Sequence, residues 1–384
     1  MKTYFDNKQK NECNGCGTCA LRCPKKAITM IEDGEGFLYP EIDYEKCVKC
    51  GLCRKICPNS HINLKEAGQK TYIAYINNKE EKTKSASGGI FYEIAKNVIS
   101  EKEGVVFGVR FNEKLIAVHD YVEKLEEIDK FRGSKYVRSN LNDSYKKVEE
   151  FLKADRYVLF TGTPCQCQGL RGYLVKEYDK LITCDIICHA NPSPKVFDMY
   201  KRNIELKYNK KIKDIQFRAK STGWRNQVPI IMFEDGEKIK ETSYSTAFAK
   251  ELINRPSCHN CRFCTEKRLS DFSIGDMWGI DKIDKEIVDD DTGISLFNVN
   301  TKKGKEYFEQ IKDNMFYKEV NTTLAFRYNH HNNVAMNKQR KKFFKKIINK
   351  KINENNIIKY MNKYTRVSLK TRILRKLKRI FKEN

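Results

Sequence analysis

Short runs of alternating or continuous apolar residues recur along the chain, separated by stretches with helical spacing. Tyr72–Ile76, Gly104–Val109 and Leu115–Val122 read as strands, the last two as a hairpin. Tyr157–Thr161 and Leu181–Cys188 are buried-strand runs. Between them lie a tight turn, Gly162 to Cys165, and a helical stretch, Cys165–Val175. This order predicts a parallel α/β unit whose strand carboxyl ends carry chemistry. Val228–Phe233 has strand length, and Ser270–Gly279 alternates as a strand ending in Asp276 and Trp278. Apolar positions 90, 91, 94, 95, 98 and 99 predict a helix over Ile90–Ser100. Nearer the start, Ala27–Met30 and Phe37–Tyr39 are strand-like and flank Asp33-Gly34-Glu35-Gly36, a turn signal.

No run approaches the roughly 18 apolar residues of a membrane span. Met1–Asn11 is polar, with no secretory h-region. A soluble cytoplasmic protein is therefore expected, where thiols stay reduced and clustered Cys means metal or redox chemistry. The 384 residues suggest two or three domains. The net charge of +24 is uneven: residues 331–384 hold eighteen Lys and Arg against two acids, or +16 of it. Composition shifts divide the chain into 1–66, 67–330 and 331–384. The predicted class is α+β / α/β: a ferredoxin-like module, a mixed α/β body and a basic helical tail.

Eight of the fifteen Cys lie before residue 60. Cys13, Cys16, Cys19 and Cys23 precede Pro24; Cys47, Cys50, Cys53 and Cys57 precede Pro58. Both runs follow C-x2-C-x2-C-x3-C-P, offset by 34 residues. Three thiolates on a tight loop wrap a cubane, and Gly15, Gly17 and Gly51 supply the positive φ such a loop needs. In two-cluster ferredoxins the fourth Cys serves the other cluster. Cys13, Cys16, Cys19 and Cys57 are therefore expected on one [4Fe–4S] cluster, and Cys47, Cys50, Cys53 and Cys23 on the other. The competing reading is a pair of zinc knuckles, which does not call for the duplicated run with both prolines.

In the body, Cys258, Cys261 and Cys264 form a third thiol group without a local fourth ligand. Cys165 and Cys188, at the ends of predicted strands, are available to complete an iron–sulfur or zinc site. Ser85–Gly89 feeds the helix beginning at Ile90, where amides cradle anions in many proteins. Asp289–Gly293 is an acidic turn with some capacity for a hard cation. No Gly-x-Gly-x-x-Gly or Walker loop is present.

Taken together, the residues resemble the coenzyme F420 hydrogenase/dehydrogenase beta-subunit family, in its bacterial branch with a fused ferredoxin domain. The matching stretches are Ser87–Phe91, Phe131–Val137, Thr161–Gln166 with Gly169–Arg171, Ile187–His189 with Pro192–Pro194, Ser221–Trp224, Arg255–Cys261, Ser270-Asp271, Asp276–Gly279 and Gly293–Leu296. The resemblance implies an iron–sulfur flavoprotein passing electrons between clusters, FAD and a diffusible substrate, coenzyme F420 in the best-known members. It implies Cys165, Cys188, Cys258 and Cys261 as a third [4Fe–4S] site, with Cys167, Cys184 and Cys264 as extras. Ala190 departs from the family's usual Gly. The resemblance also points to FAD contacts from Ser87, Gly88 and Gly89, from Arg132, Gly133, Ser134 and Lys135, and from Thr161, Gly162, Thr163 and Pro164. Lys135 and His189 are candidate proton donors.

The expected activity is thus an Fe–S/FAD-dependent oxidoreductase with a redox partner protein (a ferredoxin, hydrogenase or dehydrogenase) and an organic electron acceptor or donor. The alternative is a non-catalytic electron-transfer subunit docking on a partner enzyme; relatives accompany surface-polysaccharide assembly. A third reading, nucleic-acid binding through the tail, has no motif behind it. The tail itself carries two apolar stripes, Phe343, Phe344, Ile347 and Ile348, then Ile373, Leu374, Leu377, Ile380 and Phe381. These fit a helix packed on the body, or an interfacial helix on anionic lipid at the inner membrane face.

Overall fold

The structure, a computed structural model, describes residues 3–60, 69–221 and 223–366. The second apolar stripe of the tail and the expected 66/67 domain boundary lie outside the described residues.

The N-terminal module is built on one hairpin. β1 (Ile28–Glu32) pairs antiparallel with β2 (Leu38–Ile42), Ile28 opposite Ile42. Asp33 closes the turn, its carboxylate accepting from the amides of Glu35 and Phe37, both at 3.0 Å. Gly36 takes φ 86° there. The Cys runs flank this hairpin, each with a one-turn helix, Thr18–Leu21 and Leu52–Lys55. Both helices begin after a left-handed glycine, Gly17 at φ 75° and Gly51 at φ 74°. The internal repeat of the sequence is thus a repeat of backbone.

The body centres on an eight-stranded sheet. Its strands are β3 (Lys70–Ile76), β4 (Val105–Phe111), β5 (Ala117–Val122), β6 (Val158–Gly162), β7 (Leu181–Ile186), β11 (Phe272–Asp276), β12 (Ser295–Val299) and β13 (Met315–Val320), in the order β13-β3-β12-β11-β7-β6-β4-β5. The central four, β4, β6, β7 and β11, are parallel. β5 closes one edge as the antiparallel partner of β4, and β12, β3 and β13 continue the other side antiparallel.

Alternation within β6 explains the layers. Val158 and Phe160 join a core under the helices Ser144–Lys153 and Pro164–Leu174. Leu159 points the other way, into a core shared with Ile90, Ile94, Phe297 and Phe308. A strand buried on both faces reads as a continuous apolar run, as this one does. The predicted helix from Ile90 is regular to Lys96, then widens into a π turn over Asn97–Glu101.

A second, antiparallel sheet of β8 (Ile212–Ala219), β9 (Val228–Phe233) and β10 (Lys238–Lys240) packs with the helices Pro194–Tyr208 and Ser243–Ala249. The chain beyond residue 331, expected as a separate tail, is part of this layer as far as it is described. Phe343, Phe344 and Ile347 of the helix Arg340–Ile348 and Ile357, Met361 and Tyr364 of the helix Ile357–Thr365 belong to the same core. Their apolar faces cover protein, and Ile348 alone of the first stripe is exposed. Among the described residues no helix is long and apolar enough to cross a membrane.

Candidate metal centres and their surroundings

The crossing of the two N-terminal Cys runs brings the thiols together as their spacing suggests. Cys57 lies among the first run: burial, with Cys16 and Cys13 alongside, pushes it up to about 12. Burial and the neighbouring Cys16, Cys13 and Cys57 push Cys19 well up. Cys23, Cys47, Cys50 and Cys53 line one cavity of about 310 Å³, with Cys19 of the first run on its wall. Amides point at sulfur in both runs, Gly15 N–H to Cys13 Sγ and Ala27 N–H to Cys23 Sγ, each 3.3 Å. Crowded buried thiols resist ionisation until a cationic centre compensates them, and amide donors favour thiolate. The donor chemistry fits two [4Fe–4S] clusters.

In the body, Cys165, Cys188, Cys258, Cys261 and Cys264 line one small cavity of about 30 Å³. Cys165 sits in the first turn of the helix Pro164–Leu174, whose start is fixed by a Thr163–Gln166 capping box. Cys188 follows β7, and Cys258 rides the 3-10 turn Pro256–Asn260. Burial with Cys165 nearby raises Cys258 to about 11, and burial with Cys258 and Cys165 raises Cys188 well above the usual range. The Asn191 amide donates to Cys258 Sγ at 3.3 Å. These four thiols fit a third cluster. Cys264, read as an extra, stands on the same wall. Cys167 and Cys184 do not: Cys167 Sγ lies 3.8 Å from the Cys184 carbonyl, both buried between helix and sheet.

The first thiol set and the body set are neighbours. Asn14, from the first Cys loop, lines the body cavity. Arg138 spans the gap, with Nη1 3.5 Å from Cys165 Sγ and Nη2 donating to the Gly15 carbonyl at 2.9 Å. Arg255, almost fully buried, donates to the carbonyls of Cys13 at 2.8 Å and Leu38 at 2.9 Å, and lies over the Tyr39 ring at 4.3 Å. Neither arginine could be found by sequence spacing, because each acts across more than a hundred residues.

Beside the body cavity, His189 Nε2 meets Glu251 Oε1 at 2.5 Å and His189 Nδ1 meets His330 Nε2 at 2.6 Å. His189 thus sits within a Glu–His–His chain. Lys135 donates instead to the carbonyls of Arg132 at 2.6 Å and Lys130 at 3.3 Å. Burial draws it down to about 8.

The loops expected to hold FAD all lie at the carboxyl end of the parallel strands, but many of their groups are already engaged. Ser87 Oγ donates to the Ile294 carbonyl and the Gly88 amide donates to Ser295 Oγ, both at 2.9 Å. Arg132 is ion-paired with Glu81 and, at 2.6 Å, with Asp129, and it covers the Tyr92 ring. Thr161 Oγ1 donates to the Phe107 carbonyl. Thr163 and Pro164 line the thiol cavity instead. What fits an anion here is different. Gly133 has φ 77° and open space where a Cβ would stand. Lys135 and Lys220 hold their ammonium groups against backbone carbonyls, Lys220 on those of Ser87, Lys82 and Thr292. Burial, with Arg218 close by, draws Lys220 to about 8. Sequence spacing gave no sign of Lys220. The acidic turn binds protein cations: Asp289 pairs with Arg225 at 2.8 Å and Asp290 with Lys82 at 3.1 Å.

Comparison with known proteins agrees with this layout. The family described as the C terminus of the coenzyme F420 hydrogenase/dehydrogenase beta subunit matches residues 155–324. A 4Fe-4S dicluster domain matches residues 12–61. Among solved structures, the chain is similar to one from the F420-reducing [NiFe] hydrogenase complex of Methanosarcina barkeri, solved with xenon derivatization. Identity is 20%, TM-score 0.47, over 74% of this chain and 95% of that one. No curated protein matches. The first match takes in every body thiol and the second both N-terminal runs. Residues 155–324 of the chain therefore match the C-terminal domain of coenzyme F420 hydrogenase/dehydrogenase beta subunits, and residues 12–61 match a 4Fe–4S dicluster domain.

Proposed function

We propose that the protein is an iron–sulfur flavoprotein oxidoreductase that passes electrons between two ferredoxin-type [4Fe–4S] clusters, a third in the body, FAD and an organic two-electron substrate such as coenzyme F420 or another acceptor. The observation that carries this reading is the contact between thiol sets. Cys57 belongs spatially to the first run, and that run's Asn14 and Gly15 reach the body set directly or through Arg138. When bound, the clusters supply one-electron chemistry and FAD couples it to two-electron chemistry.

The chain's own residues set distance and environment. Arg138, half-buried, and Arg255, buried, place two positive charges beside the first and body thiol sets, where added negative charge is stabilised. Beside the body cavity His189 is hydrogen-bonded to His330 and stands in close contact with the Glu251 carboxylate. Lys135 and Lys220, flanking the Gly133 and Ser87–Gly89 loops, suit a pyrophosphate. The other loop groups would have to exchange internal partners for the cofactor. That engagement favours a second reading, an electron-transfer subunit with no substrate of its own, docking on a partner enzyme.

Anaerobically purified and reconstituted protein is expected to hold about twelve irons per chain, three cubanes of four. It should also show flavin absorbance. Zinc in place of iron, or no flavin after reconstitution, rejects the proposal. Flavin and clusters that are reducible but never turn over an added deazaflavin or quinone identify the electron-transfer subunit.

A further inference from the structure

The two N-terminal thiol sets face different surroundings. The first is covered: Cys16 is buried, and Arg255, Arg138 and the body close over its loop. The second is open. Cys50 is exposed, and the cavity it shares with Cys23, Cys47 and Cys53, and with Cys19 of the first set, is rimmed by Tyr44, 68% exposed, and Val48, 58% exposed. Electron transfer falls steeply with distance, so the set with the exposed thiol Cys50 offers a protein donor or acceptor the most direct approach.

The charge around that opening is predominantly positive. Residues 21–26 and 44–55 hold seven Lys and Arg against a single acid, Glu45. Lys46 is tied to Asp43 and Arg54 faces Asp6. Lys25, Lys26, Lys49 and Lys55 are exposed and make no ion pair among the described residues. A small apolar centre within a charged rim suits a transient contact, where the rim sets association rate and salt dependence more than final affinity.

We propose that this face is the docking site of an acidic electron-carrier protein, which seats an apolar patch on Tyr44 and Val48 while its carboxylates meet Lys25, Lys26, Lys49 and Lys55. The proposal rests on the function proposed above, since it takes the second thiol set to hold a cluster. It adds the chemistry of the partner and the surface it meets. One electron leaves the carrier, which is oxidised, and the cluster held by Cys23, Cys47, Cys50 and Cys53 is reduced; the reverse transfer uses the same face.

The test uses full-length holoprotein and, as probe, a reduced, strongly acidic 2[4Fe–4S] ferredoxin, with cluster reduction followed by stopped flow. The second-order rate constant should fall about tenfold between low and moderate salt. In Lys49→Glu with Lys55→Glu it should fall at least about tenfold at low salt, and the milder Lys49→Gln with Lys55→Gln should fall part of the way. Reduced methyl viologen, which needs no docking, should reduce all three proteins no more slowly than wild type, and their cluster EPR signals should match. Transfer from ferredoxin to the charge-reversed protein at the wild-type rate overturns the proposal. So does an equal loss in Lys302→Glu, on the body helix Lys302–Ile311, or capture of this face by anionic vesicles or duplex DNA with no ferredoxin transfer. Failure of viologen to reduce the wild-type clusters sinks the redox reading itself, and the docking proposal with it.

Discussion

Arg138 shows what one side chain adds to a motif. Its guanidinium touches a body thiol and a carbonyl of the first Cys loop at once. Replacing it with Gln removes a half-buried charge and keeps a donor. The midpoint potentials of the first and body clusters should drop by about 60 mV, the one-electron equivalent of roughly 1.4 kcal/mol. EPR-monitored titration measures this; an unshifted body cluster would mean Arg138 only holds the loop. His119 offers a test that needs no cofactor. It is buried, Nε2 at 3.1 Å from the Thr161 carbonyl and Nδ1 at 3.0 Å from Ser139 Oγ, and burial lowers it to about 3. Above pH 6.5 neither folded nor unfolded chain protonates it and no penalty exists. As pH falls from 6.5 toward 3 the unfolded chain gains a proton that the folded one refuses, so stability declines. The slope approaches about 1.4 kcal/mol per pH unit. Denaturant melts at pH 7 and pH 5 should show that loss, and His119→Asn should flatten it.

At the scale of elements, the helix Pro164–Leu174 explains why the module sits where it does. Its glycines let both Cys runs approach. A Cβ on Gly172 would stand 2.4 Å from the Ile56 carbonyl, and one on Gly169 2.9 Å from Cys16 Cβ. Thr18 Oγ1 donates to the Gly169 carbonyl at 2.7 Å across that contact. Gly172→Val is expected to force the module off the helix, at a cost of about 1–3 kcal/mol or more. Limited proteolysis should then cut the exposed Cys loops while the body stays resistant. Much of this region was legible beforehand. The β6–helix–β7 unit declared itself through two apolar runs and a Thr-Gly-Thr-Pro turn, because central strands are buried on both faces. The antiparallel β8 to β10 layer did not. Only β9 was marked by its apolar run; β8 alternates between burial and exposure, and β10 has just three residues. Whereas the body thiol set comes from three separate segments and was implied only by the resemblance, the two N-terminal thiol runs were readable because their ligand spacing is local. The lysine and arginine partners were not, since they arrive from distant segments through tertiary packing. The loops expected to hold flavin lie at the carboxyl end of the parallel strands, and Arg132 among them belongs to an ion-pair network with Glu81 and Asp129 that no local pattern announces.

The whole molecule is held together by its two ends. Arg340, on the first tail helix, donates to both carboxylate oxygens of Glu35 at 3.2 and 2.6 Å, and Phe344 packs against Phe37. Part of the positive charge counted in residues 331–384 is spent on this grip. Arg340→Ala leaves Glu35 without its buried partner and should lower stability by about 3–5 kcal/mol. Thermal melts of holoprotein should show the module's iron–sulfur absorbance bleaching ahead of the body. A single unchanged transition would mean the grip is dispensable.

That grip also fixes an order of events at the ribosome. Glu35 and Arg340 are separated by 305 residues. At about 5–20 residues per second, roughly 15–60 s pass between the emergence of the hairpin turn and that of its anchor. Arg138 and Arg255 emerge partway through that interval, 103 and 220 residues after Glu35, and the C-terminal helix only at its end. Iron–sulfur loading of both runs therefore has a natural window before the last helix closes, and the C-terminus acts as the latch that ends it.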